Sequence, residues 1–448
     1  VTPIDRGDRG PRGELRAQIA LAIPLAGQQL GFQLMGLVDA AMLGRWSDAA
    51  LAGATVGNNL LFTITALGLG IVMGLDTVIP QRLGAGRDAD ARRALAAGLR
   101  IAVVVGAACT LVAAASPGVL SLAGVTVDVR ADAAAYTIAR ALGIVPYLAG
   151  VAMRSYLAAR GVTRPLIAAV VAGNLANLGL DALLIFGAHL GVLGAAAATV
   201  TVQVLTLLLY RVAVRAVDRG DAHATGADDA AGRRADAREI LRYGLPVGGQ
   251  ICAEVGIFGV ATVIAARLGT LAAAGHGIAL GMASLTFSVA VGIGAATSVR
   301  VGHAVGAGDL ALARRRGGIG LVIGLVVMAT FAALLLALPR PLAELFSDDP
   351  AVAAAAVPLL MIAALFQLSD GTQAIGAGAL RGLGDTRATL VANLVGHYGV
   401  GLPISLSLAF AAGMGAPGLW WGLSAGLTAT AAVLVGRFAV QTRAAASP

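Results

Sequence analysis

The amino-acid sequence predicts an all-α integral membrane protein of about twelve transmembrane helices, built as two six-helix halves related by pseudo-two-fold symmetry along the membrane normal. Three observations carry this expectation. The 448 residues are 58% hydrophobic and only 12% charged, with mean hydropathy +0.84, whereas an ordinary soluble domain carries roughly 25% charged residues. Apolar runs of about 20 residues recur from Leu15 to Val440, and a helix of that length spans a hydrocarbon core roughly 30 Å thick. The runs stay apolar throughout, whereas barrel strands alternate over about 10 residues.

In chain order the spans are expected at 15–43, 50–79, 94–116, 132–153, 166–187, 191–214, 240–266, 276–304, 317–338, 353–380, 388–411 and 417–440. The polar opening, 1–14, reads as a cytoplasmic tail, and no A-x-A-type cleavage pattern precedes the first span, so no signal peptide is expected. An N-terminal lobe covers 15–214, an Arg- and Asp-rich cytoplasmic linker 215–239, a C-terminal lobe 240–440, and a second tail 441–448. The net charge of +8 does not indicate a nucleic-acid partner, because the arginines fall at alternate helix junctions and form no single patch. Arg82 to Arg93, Arg154 to Arg164, Arg211 to Arg242, Arg300 to Arg316, Arg381 to Arg387, Arg437 and Arg443 share one side. The positive-inside rule makes that side cytoplasmic, with both termini there. Cys109 and Cys252 lie inside spans without metal-ligand spacing and read as packing residues.

Laid over itself, the chain pairs Pro24 with Pro246, Gln28 with Gln250, and Gly84-Ala85-Gly86 with Gly306-Ala307-Gly308; Arg160-Gly161 meets Arg381-Gly382 at a neighbouring register. Six is even, so both halves enter the membrane in the same orientation, the parallel-repeat arrangement of many secondary transporters.

An ionised acid at a helix centre costs about 2.5 to 3.5 kcal/mol even on the lenient insertion scale, so such residues usually face a cavity and work. Asp39, Asp181, Glu254 and Asp370 are well inside spans. Each belongs to a polar stripe, since residues three or four apart share a helix face: Gln28, Phe32, Met35 and Asp39; Asn174, Asn177 and Asp181; Gln250, Glu254 and Phe258; Phe366, Asp370 and Gln373. Thr199, Gln203 and Thr206 form another. An acid in a partly dry cavity can hold a proton near neutral pH. Oxygens of Asp181 with Asn174 and Asn177, of Asp39 with Asn177 and Asp181, or of Glu254 with Asp370 offer a hard-cation site for Na+ instead. Asp76, near an arginine-rich helix end, reads as a solvated or Arg-paired carboxylate.

No lysine occurs in the chain, which excludes a P-loop; no G-x-S-x-G elbow, H-E-x-x-H pair or D-D-x-x-D cluster falls at a membrane interface, and no potassium-selectivity string is present. Ion gradients remain as the energy source, with no cofactor. One proton crossing about 100 mV is worth about 2.3 kcal/mol, and at roughly 1.4 kcal/mol per tenfold it supports a gradient of about 50-fold.

These residues resemble the multidrug and toxic compound extrusion family, in its NorM-like branch, across essentially the whole chain. The likeness rests on Pro24, Asp39 and Gly44, Gln81 with Gly84-Ala85-Gly86, and Asn174, Asn177 and Asp181. In the second half it rests on GLPVGGQICAE from Gly244 to Glu254, FQLSDGTQAIGAGALRGLGDT from Phe366 to Thr386, and Asn393 through Pro403. The resemblance implies a multidrug efflux antiporter in which Asp39, Glu254 and Asp370 couple to the cation. Asn177, Asp181 and Tyr136 match positions used in its DinF-like branch. Gly399 follows Tyr398 where relatives often carry tryptophan, which implies a roomier or less stacking-based drug pocket.

The function expected is exchange of H+ or Na+ for amphipathic, mostly cationic organic compounds by a monomer in the cytoplasmic (inner) membrane. Asp39, Asn174, Asn177, Asp181, Glu254 and Asp370 are the cation-coupling candidates. Gln28, Phe32, Tyr136, Thr199, Gln203, Gln250, Phe258, Phe287, Phe366 and Tyr398 are candidate substrate contacts, the aromatic ones through apolar or cation–π packing. A flippase or exporter of a lipid-linked precursor or secondary metabolite is the alternative, for which Arg100, Arg140 and Arg154 would have to face the cavity; an enzyme acting on isoprenoids is a second.

Overall fold

Hydrocarbon offers the backbone no hydrogen-bond partner, and a helix satisfies its peptide groups within one segment. The computed structural model describes residues 10–122, 124–220 and 230–443, and among them there is no strand. Eleven helices are long and apolar enough to cross a membrane, and a bent pair makes a twelfth. The first half supplies α1 (Pro11–Trp46), α2 (Asp48–Gly84), α3 (Asp88–Ala114), α4 (Val129–Ala141 and Ile144–Ala159, bent by 47°), α5 (Arg164–Gly187) and α6 (Gly191–Arg219). The second supplies α7 (Gly232–Arg267), α8 (Thr270–Gly306), α9 (Leu310–Ala337), α10 (Pro350–Leu383), α11 (Thr386–Ala411) and α12 (Gly415–Arg443). Every expected span overlaps a helix, and most helices run past the span into polar residues; α3 and α9 stop at Ala114 and Ala337, just short of the expected ends, and 132–153 falls on the bent α4.

The ends follow local chemistry. Ser47 Oγ accepts from Ala50 N at 3.0 Å to open α2, and Asp349 Oδ1 accepts from Ala351 N at 2.8 Å to open α10, each satisfying a donor that the first turn leaves free. The repeated Gly-Ala-Gly ends on glycines at φ 73° (Gly86) and 75° (Gly308), a left-handed conformation that only glycine adopts without strain. Two helices change pitch: α5 turns to π-helix over Ala182–Gly187 and α11 over Leu394–Gly401.

By compactness the chain divides into two units, with boundaries inside α1 and α7. Unit 1 holds Gly27–Gly248; unit 2 holds Gly249–Pro448 with Gly7–Ala26. Each boundary lies just after a proline within its helix, Pro24 or Pro246. Within unit 1, α2 packs on α7 with almost no side chain between them, since a Cβ on Gly70 would meet Gly248 Cα at 2.2 Å. In unit 2 a Cβ on Gly378 of α10 would meet Gly294 O of α8 at 2.2 Å. Such contacts let helices approach closely where no hydrophobic force between helices operates.

The segments read as tail and linker are partly helical. Residues 1–9, 221–229 and 444–448 of those segments lie outside the described residues, but α1 already runs from Pro11 and α7 takes in Gly232 to Glu239. Their charges are paired within the units: Arg82 meets Asp236 at 2.7 Å and Glu239 at 2.5 Å, and Arg92 meets Asp218 at 3.1 Å. In unit 2, Glu14 pairs with Arg300 and, at 3.0 Å, with Arg316. A charge-dense, glycine-containing stretch looks like loop until its partners, distant in sequence, are known. Cys109 is buried, as a packing residue is, whereas Cys252 is exposed.

Removing one member of a buried pair strands the other at a cost of about 3 to 5 kcal/mol. Arg82→Ala, which leaves Asp236, 4% exposed, with only the longer 3.7 Å contact to Arg93, is expected to lower the melting temperature in detergent markedly. Arg340→Ala, which breaks the exposed Arg340–Glu344 pair, is expected to leave it within a degree or two.

Candidate functional site

In unit 1 the polar stripes of α1, α4, α5 and α6 converge on two acids. Asp39 is 6% exposed, Asp181 fully buried, and Asn177 1% exposed. Asp181 is the last α-helical residue before the π turn of α5, a deformation frequent at functional sites. The Asp39 carboxyl lies close enough to Asp181 for its charge to act on it. Thr199 Oγ1 is 3.0 Å from Asp39 Oδ2 and 3.1 Å from Ala195 O, so its single proton serves one acceptor at a time. Asp39 Oδ1, both oxygens of Asp181 and both polar atoms of the Asn177 amide are buried without a protein hydrogen-bond partner. Ionised carboxylates only accept, so two that meet lack a donor until a proton or metal ion joins them.

Tyr136, 4% exposed, feels the charge of Asp39, Asp181 and Arg140. The Arg140 guanidinium carbon sits 5.8 Å from the centroid of that ring. Tyr136 is backed by Gly57 of α2, where a Cβ would meet Ala133 O and Thr137 Oγ1 at 2.9 Å and Tyr136 Cδ1 at 3.0 Å. Gln203 presses its Oε1 into the bend of α4, 2.0 Å from where a Cβ on Gly143 would stand.

Other first-half candidates lie apart from the acids. Gln28 Nε2 donates to Tyr210 Oη at 2.7 Å, and Phe32 meets Tyr147 edge-on with centroids 6.2 Å apart. Asn174 Nδ2 is occupied by Val170 O of its own helix at 2.9 Å. Phe32, Asn174 and Tyr210 line a cavity of about 10 Å³, room for one water. Asp76 is 3.7 Å from Arg154, the paired arrangement expected of it.

In unit 2, Glu254 Oε1 accepts from Gln250 Nε2 at 3.1 Å and from Gln373 Nε2 at 2.6 Å, while Asn393 Nδ2 donates to Thr389 O of its own helix at 3.4 Å. Asp370, 6% exposed, lies within the field of Glu254. Phe258 joins Phe366 (6.2 Å between centroids) and His397 (6.4 Å). Phe366 is 1% exposed and packs against Trp420 at 5.2 Å, which makes it a core residue. Tyr398 Oη donates to Ala253 O at 2.9 Å. Phe287 is half-buried and takes no part in these ring contacts.

The structure therefore brings together Asp39, Asn177, Asp181, Tyr136 and Thr199 in unit 1, and Gln250, Glu254 and Asp370 in unit 2. It adds Gln373, whose amide sits on the Phe366–Asp370 stripe visible in the sequence, and Arg140, one turn beyond Tyr136.

A family model described as MatE matches this chain twice, over residues 24–183 and 246–407. A probable multidrug resistance protein NorM of Deinococcus radiodurans is 38% identical over 444 residues, covering 96% of this chain and 96% of that protein. The multidrug resistance protein PmpM of Pseudomonas aeruginosa is 34% identical over 98% of this chain and 94% of its own. Among solved structures, an outward-facing multidrug resistance MATE family transporter of the MOP superfamily has a TM-score of 0.89 at 20% identity, covering 99% of this chain and 100% of that one. A eukaryotic MATE transporter also gives 0.89, at 21% identity over 96% and 98% of the two chains. At such identities the structural likeness speaks for the fold.

Gly57→Ala forces apart the α2–α4 contact that seats Tyr136, and overpacking of this kind costs about 1 to 3 kcal/mol. Gly36→Ala, on α1 with no neighbour within 4 Å, gains helix propensity of about 1 kcal/mol. Thermal unfolding in detergent is expected to place the first variant below the parent and the second level with it or above.

Proposed function

Because the chain belongs to the MatE family, whose model matches both of its halves, we propose that it is a secondary active multidrug exporter of the cytoplasmic membrane. It exchanges H+ or Na+ for small amphipathic, mostly cationic organic compounds by alternating access. The observation that carries this reading is the meeting of Asp39 and Asp181, two acids buried together with three of their four oxygens lacking a donor. A group that is expensive to keep ionised and has no fixed partner is suited to binding and releasing a cation. Relatives that cover nearly the whole chain are named multidrug resistance proteins, which supports the cargo class.

The chemistry follows from the pair. With a proton between them, one carboxyl becomes a donor and the other its acceptor, and both can leave the aqueous phase. Thr199 adapts: its hydroxyl donates to Asp39 when that oxygen is charged and turns to Ala195 O when Asp39 itself donates. An organic cation drawn to the same carboxylates competes with the proton, and mutual exclusion couples the two flows. A dehydrated Na+ would use the same oxygens with Asn177 Oδ1, hard donors suited to it. Glu254 and Asp370 form a second acidic centre, whose glutamate is held ready by the amides of Gln250 and Gln373.

In energised everted membrane vesicles, ethidium is expected to release stored protons through the parent protein and not through Asp39→Asn or Asp181→Asn. A response to ethidium only under an imposed sodium gradient would assign Na+ as the ion. Unchanged transport in both variants would overturn the mechanism.

A further inference from the structure

The 47° bend of α4 has identifiable causes. Pro146 carries no N–H, so Leu142 O loses the donor that a continuous helix brings four residues on, and the proline ring crowds that carbonyl. The chain turns there through a shorter bond, Gly143 N donating to Arg140 O at 2.9 Å. Two neighbouring helices fit themselves to the bend. Thr110 of α3 brings its hydroxyl within 3.0 Å of Ala141 O. Gln203 of α6 lays its Oε1 2.0 Å from where a Cβ on Gly143 would stand, and Val200 Cγ2 of the same helix is 3.2 Å from that point. That oxygen is buried and accepts no hydrogen bond, so it fills the hollow of the bend and is not turned towards a cargo.

The two halves of α4 are held differently. The Ile144–Ala159 half is pinned at its end: Arg154 faces Asp76 of α2 at 3.7 Å, Tyr156 Oη donates to Asp218 Oδ1 of α6 at 2.8 Å, and Arg160, which follows the helix, meets Asp88 of α3 at 2.7 Å. Among the described side chains no ion pair ties the Val129–Ala141 half to another helix. It meets α2 through glycines instead, a Cβ on Gly53 coming 2.5 Å from Asp132 Cβ. Its Tyr136 belongs to an apolar cluster with Leu43, Ile185 and Ala195. Each of these stands one helical turn from a member of the acid site, Asp39, Asp181 and Thr199 in that order. The angle of the bend therefore decides how this half is seated against the pair.

We propose that Gln203 is a positioning residue: it wedges α4 open at Gly143 and so holds the Val129–Ala141 half, with Tyr136, as a cover over the Asp39–Asp181 pair. The cover rests on the reading of that pair as the exchange site, whereas the wedge does not. Thr199, whose hydroxyl lies 3.0 Å from Asp39 Oδ2, precedes Gln203 by one turn on the same face of α6. One helix face thus touches both the acid and the bend, and a movement of α6 when the cation loads or leaves reaches the cover directly. Gln203 acts on transport through α4, not by contact with the compound carried.

The test joins amide hydrogen exchange of the purified full chain in lipid nanodiscs to ethidium/proton exchange in reconstituted vesicles. The proteins are the parent, Gln203→Ala, Gly143→Ala, the Gly143→Ala/Gln203→Ala double variant and Asp39→Asn. Removing the wedge eases local opening, so Gln203→Ala is expected to speed amide exchange in 129–143 by about tenfold and to leave the pinned half, 144–159, as in the parent. A displacement of about 1 Å from a working geometry can cost about 100-fold, so the maximal transport rate of Gln203→Ala is expected to fall by about tenfold or more at an unchanged half-saturating ethidium concentration. Loss of a cargo contact would raise that concentration instead. Gly143→Ala sets a methyl group against the Gln203 oxygen and is expected to abolish transport; the double variant puts the methyl where the amide was and is expected to exchange faster than either single variant. Should Gly143→Ala not fold, comparison of the double variant with Gln203→Ala still decides. Amide exchange that changes in both halves alike or in neither, a raised half-saturating concentration at an unchanged maximal rate, or a double variant no faster than Gln203→Ala overturns the proposal. If the amide pattern is as expected but Asp39→Asn transports like the parent, the wedge stands and the reading of the pair as the exchange site fails.

Discussion

A polar group inside hydrocarbon must find its partner within the protein, and the rest of this structure depends on that requirement. Leaving one unsatisfied costs several kcal/mol, so the chain is helical through the membrane and its charges inside the lobes come in sets. Glu14 with Arg300 and Arg316, and Asp236 with Arg82, are such sets. They tie the leading segment of α1 to unit 2 and that of α7 to unit 1. Glycine answers the same requirement from the apolar side, because backbones that touch at Gly70–Gly248 or Gly294–Gly378 gain dispersion contacts that large side chains would prevent.

Against that background, incomplete pairing is informative. Gln373 and Gln250 give Glu254 two donors, and Gln28 has Tyr210. Asp39, Asn177, Asp181 and Arg140 retain buried polar atoms with none, and they do so in one neighbourhood of unit 1, next to a π turn that reorients the helix just after Asp181. Other buried groups, Gln367 and His397 among them, also keep polar atoms without a partner; what sets this neighbourhood apart is that two carboxylates with three donorless oxygens lie in it.

Much of this was legible in the sequence because it is written locally. Spans of about 20 apolar residues announce themselves, acids within them stand out, and a stripe at four-residue spacing puts Glu254 and Gln250 on one helix face, where they hydrogen-bond; that Thr199 of another stripe reaches Asp39 is seen only in the structure. What stayed hidden depends on partners far away in the chain. Glu14 and Asp236 looked like parts of a solvated tail and linker because nothing near them in sequence shows Arg316 or Arg82. Phe366 looked like a cavity aromatic because its stripe contains Asp370, yet its ring turns into the core against Trp420.

The duplication sharpens the functional argument, because the scaffold repeats and the chemistry does not. At the register that pairs Pro24 with Pro246, Asp39 falls opposite Ala261 and Glu254 opposite Phe32. At the register that pairs Arg160 with Arg381, Arg140 falls opposite Met361 and Asp370 opposite Ala149. Had the acids been needed for packing, the two copies would be expected to keep them at equivalent positions, as they keep the prolines inside α1 and α7 and the left-handed glycines Gly86 and Gly308. Their divergence separates two tasks. The shared residues bend helices and turn the chain, whereas the acids give each half its own charge: two carboxylates with a guanidinium nearby in the first, two carboxylates with amide donors in the second. Two centres of different charge are expected to respond differently to the same cation, which supports the proposed exchange of ion for cargo.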